Sequence, residues 1–151
     1  MKNNIFKNET TSEIINRINN LNNNSKANWG TMDVAKMLAH CNVTYEMVYD
    51  DIHKKPNFIL KFILKTFVKG KVVSEESYPK NGKTAPQFII KSDKDFNTEK
   101  ERLLNYIEQT KSLGENHFDG KESHSFGKLS VKEWNNLFYK HLDHHLRQFG
   151  V

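Results

Sequence analysis

The sequence predicts an all-α protein, a four-helix bundle with a long crossover between its second and third helices. Three observations predict it. Apolar residues recur at helical rather than alternating spacing, four such segments are long enough to span a bundle, and the stretch between the second and third is irregular and polar. A chain of 151 residues suits one compact domain and is too short for two ordinary ones, so residues 1–151 are read as a single helical domain.

At the start, Lys2 to Asn8 reads as a frayed tail. Thr10 and Glu13 have the spacing of a capping box, and Ile14, Ile15, Ile18 and Leu21 follow on one side, which predicts a first helix from Thr11 to Asn22. The Asn-rich run Asn22 to Ser25 ends it. Trp29 and Gly30 lead to Thr31, a good N-cap, and Val34, Met37, Leu38, Cys41, Tyr45 and Val48 form the stripe of a second helix that reaches Asp51. In the crossover, Lys54 to Ile90, Lys61, Lys65 and Lys69 recur every fourth residue among Phe58, Ile59, Phe62, Ile63 and Phe67. That pattern predicts a short packed helix with one solvated lysine stripe; a membrane-surface or nucleic-acid patch is the lesser reading. Pro79, Gly82 and Pro86 follow in a polar stretch, with Phe88, Ile89 and Ile90 as an extended piece. A third long helix begins near Asp95, carries Phe96, Leu103, Leu104 and Ile107, and stops about Gly114. After a loop with Gly120 and Gly127, Ser130 and Glu133 repeat the capping-box spacing and open a last helix that runs almost to Val151.

Composition excludes several classes. No stretch approaches the roughly 20 apolar residues of a membrane span, and no apolar run follows the lysines near Met1, so neither a span nor a signal peptide is expected. The only cysteine, Cys41, cannot form an internal disulfide, in keeping with the expected cytoplasmic location. The net charge is +5, but the 23 basic residues include only Arg17, Arg102 and Arg147 as arginines. Base-edge readout favours the arginine fork, so no specific nucleic-acid partner is expected.

Chemistry concentrates in the last helix. At 100° per residue, Trp134, Leu137, Phe138 and Phe149 define its buried stripe, with His141 and His145 in the middle, His144 toward one edge and Asp143 on the solvent side. Two imidazoles four residues apart stack one turn above the other, the geometry by which a helix offers two nitrogens to one metal ion. Buried histidines are also common as hydrogen-bonded core residues, and two ligands do not make a site, so the pattern alone leaves both readings open. The best third nitrogen is that of His40, which flanks the stripe of the second helix beside Met37 and Thr44. His53, His117 and His124 read as solvated loop residues, with His124 a lesser candidate for the mouth of a site. Cys41 reads as a small core residue.

WGTMDVAKMLAHCN in the second helix and FGKLSVKEWNNLFYKHLDHHLRQF at the end, with the helical layout between them, resemble the DinB and YfiT-like superfamily, and within it a subgroup of unknown function. The resemblance spans nearly the whole chain, is most specific in HLDHHLRQF, and does not extend to the middle, Lys54 to Ile90. It implies a four-helix bundle with a three-histidine site: one ligand from the second helix, matched by His40, and an HxxxH pair from the last, matched by His141 and His145. Members of the superfamily bind divalent metal ions, typically zinc or nickel, and some use them in thiol-dependent transfer or hydrolysis.

Two functions follow as expectations. One is a metal-dependent thiol transferase or hydrolase acting on a small-molecule or thiol substrate. The other is a non-catalytic metal-binding or interaction module; a homodimer is compatible with either. Glu133 belongs to a helix cap, and Asp33, Tyr45 and Glu46 are the residues left to serve as a general base. Association with acidic surfaces through Lys61, Lys65 and Lys69 is a third, weaker reading.

Overall fold

A computed structural model describes residues 3–151. Its helices are α1 (Asn8–Asn19), α2 (Val34–Tyr49), α3 (Phe58–Ile63), α4 (Lys69–Val73), α5 (Phe96–Phe118) and α6 (Val131–Gln148). A π-helical turn, Leu64–Val68, joins α3 to α4, and a 3-10 turn, Pro86–Phe88, sits late in the crossover. Among the described residues the one sheet is a two-residue antiparallel pair, β1 (Glu122–Ser123) with β2 (Gly127–Lys128), in which Glu122 pairs with Lys128. The all-α class is as the sequence predicts. No helix among the described residues is long and apolar enough to cross a membrane.

The apolar stripes decide the packing. α1 and α2 each lie against both α5 and α6, and α5 also meets α6. Ile14 and Ile18, Met37 and Leu38, Leu103 and Ile107, and Trp134 and Phe138 all turn into the shared core. The Tyr45 ring is stacked between Tyr106 and Phe138, with centroids 5.6 and 5.0 Å away. α2 is buried on almost every side from Val34 to Glu46, because the Pro86–Phe88 turn covers a face that α5 and α6 leave.

Several boundaries differ from expectation, each for a local reason. Lys2 lies outside the described residues, but the rest of the expected tail is not frayed: Ile5 and Phe6 are buried, and the Ile5 N–H donates to Asn135 Oδ1 at 2.7 Å. Thr10 and Thr11 therefore do not cap α1. They lie inside its first turn, where Thr10 Oγ1 accepts from the Asn4 N–H and Thr11 Oγ1 donates to the Ile5 carbonyl. Asp33 rather than Thr31 caps α2, accepting from the Lys36 N–H at 2.8 Å. α5 kinks at Gly114, whose φ of +71° is left-handed, and resumes as far as Phe118. Phe88 closes a 3-10 turn instead of an extended piece. The capping box of α6 forms as predicted: Ser130 Oγ accepts from the Glu133 N–H, and Glu133 Oε2 accepts from the Ser130 N–H.

The larger correction concerns the run from Phe58 to Val73. The sequence predicts buried aromatics and wet lysines, and the structure has the reverse. Phe58, Phe67, Ile59 and Phe62 are 87, 71, 69 and 61% exposed, whereas the side chains of Lys61 and Lys69 are only 35 and 21% exposed. Lys61 Nζ reaches Glu122 at 2.6 Å and Lys69 Nζ reaches Glu133 at 2.7 Å, so two of the three lysines of the stripe dock on the body of the protein while Lys65 stays exposed as expected. Carboxylates on the neighbouring hairpin and at the start of α6 receive the cationic face.

Candidate metal centre

α2 and α6 bring His40, His141 and His145 together, with one ligand nitrogen from each lying within 4.8 Å of the others. All three rings are enclosed, and of the three only the His141 residue keeps some surface exposure. That difference follows from the true stripe of α6, which includes Asn135, Leu142 and Leu146 but not Leu137, and so is centred to one side of the histidines. The histidines border the core instead of sitting at its middle.

Hydrogen bonds fix how the rings present their nitrogens. His40 Nδ1 lies 2.8 Å from the Phe88 carbonyl oxygen, which can only accept. Nδ1 therefore carries the proton and Nε2 keeps its lone pair. His145 Nδ1 lies 2.8 Å from Gln148 Oε1, and Gln148 Nε2 donates to the Trp29 carbonyl at 2.7 Å. The Trp29 carbonyl thus sets the amide so that its oxygen faces the ring, and His145 also presents an unprotonated Nε2. Such outer partners are what hold metal-ligating imidazoles in one tautomer.

His141 is adjustable. Its Nδ1 lies 3.0 Å from Thr44 Oγ1, and its Nε2 lies 3.0 Å from His40 Nε2. With protein groups alone, His141 donates from Nε2 to His40 while the Thr44 hydroxyl donates to Nδ1. If Thr44 instead accepts from Nδ1, all three rings carry an unprotonated Nε2. Ligand nitrogens on a tetrahedral zinc ion stand roughly 3.3 Å apart, given zinc–nitrogen bonds of about 2.0–2.1 Å. One pair in the cluster, His40 Nε2 and His141 Nε2, is 3.0 Å apart and all three nitrogens lie within 4.8 Å, and an all-imidazole donor set suits zinc or nickel. Three histidines so placed can hold a metal ion.

Electrostatics points the same way. Burial pushes the His141 pKa well below the ordinary value, and the neighbouring rings of His145, His40 and His144 lower it further. Burial likewise brings His145 down to about 3, with His40 adding to it. Burial lowers His40 too, partly offset by its bond to the Phe88 carbonyl. All three rings are neutral near pH 7, the form that coordinates a metal.

The other sequence candidates lie elsewhere. His144 is outside the nitrogen cluster: its ring packs against Trp29 and Tyr78 at 5.9 and 5.7 Å, beside a cleft of about 170 Å³ that Lys80, Lys140 and Arg147 also line. Asp143 does not face solvent. It is held by Arg17 at 2.9 Å and Arg147 at 3.0 Å, which ties α6 to α1. Glu46 is engaged by Arg102 and His53, Asp33 by its cap, and Tyr45 is sealed in the aromatic stack. His124 bonds Ser125 and the His53 carbonyl, away from the cluster. Cys41 is a buried core thiol, 3.8 Å from the Met37 sulfur, and burial pushes its pKa up.

Sequence reasoning did not find Phe88, Gln148 or Trp29 as supports of the site. Thr44 was visible as a neighbour of His40, but not as a partner of His141.

The family model described as "Protein of unknown function (DUF1569)" matches residues 3–150. No curated protein and no solved structure matches the chain. With the match running across nearly every residue, including α2, α6 and all three clustered histidines, the chain belongs to the DUF1569 family.

Proposed function

We propose that this protein binds one divalent metal ion, zinc or nickel, through the Nε2 atoms of His40, His141 and His145. The observation that carries the proposal is the fixed tautomer of two rings. The Phe88 carbonyl and the oriented Gln148 amide hold protons on Nδ1 of His40 and His145, which leaves each Nε2 with a free lone pair in a cluster whose ligand nitrogens lie within 4.8 Å of one another. Core histidines also bond their ring N–H groups, but three rings whose unprotonated nitrogens gather in one place are what a shared cation requires. Four packed long helices and the HxxxH spacing on α6 support reading the chain as a DinB-like four-helix bundle.

The activity we propose is thiol-dependent transfer or hydrolysis. When bound, a divalent ion supplies Lewis acidity at neutral pH. The chain's own part is to hold three neutral imidazoles in register, with the Thr44 hydroxyl donating a hydrogen bond to His141 Nδ1 or accepting one from it as the ring tautomer requires. A small-molecule substrate is favoured by the cleft beside His144, where Lys80 lies over Trp29 and Lys140 over Tyr78, each 4.5 Å from the ring centroid. The alternative is a non-catalytic metal-binding or interaction module, and it is favoured by the engagement of Glu46, Asp33 and Tyr45 elsewhere.

Cobalt-substituted protein separates the two. On the enzymatic reading, adding a small thiol produces a thiolate-to-cobalt charge-transfer band. On the module reading the spectrum stays unchanged. Failure of His141→Ala and His145→Ala to reduce cobalt uptake below that of His144→Ala overturns the site itself.

A further inference from the structure

The run from Phe58 to Val73 has no part in the metal centre and is built with its apolar face outward. Phe58, Ile59, Phe62 and Phe67 project from one continuous helical segment and are joined by Ile63 and Ile52, all exposed. An apolar surface of this extent on a chain otherwise rich in charge marks a binding face. The segment is anchored at its end by Val73 in the core and by Asn136 and Lys140 bonding the Val73 and Lys71 carbonyls, while along its length the surface pairs Lys61 with Glu122 and Lys69 with Glu133 stabilise less than the burial of a single phenylalanine. The orientation makes physical sense when something outside the chain covers the aromatics.

Charge identifies what does. Between Ile52 and Ser74 there are six lysines, Lys54, Lys55, Lys61, Lys65, Lys69 and Lys71, and no carboxylate. Lys54 and Lys71 are exposed and make no ion pair among the described residues. A second copy docked by two-fold symmetry would bring its own exposed Lys54, Lys65 and Lys71 to the edges of the same patch, a like-charge arrangement. A bilayer surface rich in anionic headgroups offers negative charge all around an apolar interior edge. Exposed phenylalanine and isoleucine bounded by lysine is the composition of a helix that lies in such an interface.

We propose that the Phe58–Val73 segment docks this protein on anionic phospholipid bilayers. Phe58, Ile59, Phe62 and Phe67 enter the boundary between headgroups and acyl chains. Lys54 and Lys71 meet the headgroups, and the pairs to Glu122 and Glu133 keep the helix flat against the body. This is peripheral attachment and requires no membrane span.

The test is co-sedimentation of the full chain with vesicles of phosphatidylcholine alone and with vesicles of equal parts phosphatidylcholine and phosphatidylglycerol. The protein is expected to sediment only with the second, and less as salt rises. Phe58→Ser with Phe67→Ser should weaken binding by about tenfold for each phenylalanine removed. These side chains are exposed, so the variant should keep the parent's helical circular dichroism and Tm. Light scattering should give both proteins the same molar mass. Three results overturn the proposal: no sedimentation with phosphatidylglycerol vesicles; equal sedimentation of parent and double variant, which would make the surface a general polyanion site; or a fall in molar mass in the double variant, which would mean that a second copy covers the face.

Discussion

Helix α6 and the run from Phe58 to Val73 both set aromatic and aliphatic residues at three- and four-residue spacing with basic residues between them. α6 turns Trp134, Phe138 and Leu142 into the core, while the run turns Phe58, Phe62 and Phe67 outward. Neighbours make the difference. The apolar side of α6 meets Tyr45, Phe6 and Phe118, whereas the run from Phe58 meets Glu122 and Glu133. Period identifies a helix and its stripes; the surface opposite decides which stripe is covered.

The sharpest way to break this comparison is to remove one aromatic from each region. Phe138→Ala should lower stability by about 3–5 kcal/mol, the cost of emptying a packed aromatic site. Phe62→Ala, on the exposed face, should change it by no more than about 0.5 kcal/mol. Urea unfolding of the two variants measures both, and similar losses would show that the run packs inward after all.

The supports of the histidines sharpen it further. Gln148→Ala frees the His145 tautomer and Thr44→Val removes the adjustable partner of His141, so each should weaken zinc affinity by about 10–100-fold in competition titrations. His144→Ala should leave affinity near that of the parent.

Acid acts on the same region. The pKa of folded His145 is about 3, below the ordinary 6.5, so the unfolded chain takes up its proton first. The contribution to stability is complete above about pH 6.5 and is lost as pH falls toward about 3. Chelator-treated protein should therefore unfold at lower urea near about pH 4 than near about pH 7, with His145→Gln flattening the slope. The smallest effect belongs to Cys41→Ser. Metal content should not change, because the thiol is packed against Met37 and takes no part in the nitrogen cluster.

How much was legible in the sequence follows the range of the interaction. The capping box of α6 and the His141, His145 pair lie within one helix, and both were readable from spacing. The direction of His40 was open, because α2 is covered on nearly all sides and its own pattern does not mark which covered side faces α6. Phe88 supplies a carbonyl, a group that every residue carries, from a crossover with no period to read. Gln148 stands near a helix end, where a polar residue is ordinarily solvated, until the Trp29 carbonyl claims it. Ile5 and Phe6 are too few to form a stripe and are ordered by Asn135, 130 positions away. Asp143 faces away from the apolar stripe, as its position requires, and Arg17 closes over it from α1.

The central claim is that three imidazole nitrogens from α2 and α6 share one cation. Elemental analysis of the full chain, purified without chelator and equilibrated with zinc before desalting, tests it most directly. One equivalent of zinc is predicted for the parent and for His144→Ala, and almost none for His40→Ala, His141→Ala or His145→Ala in folded protein. A parent that retains no metal, or His variants that all retain it equally, would contradict the account.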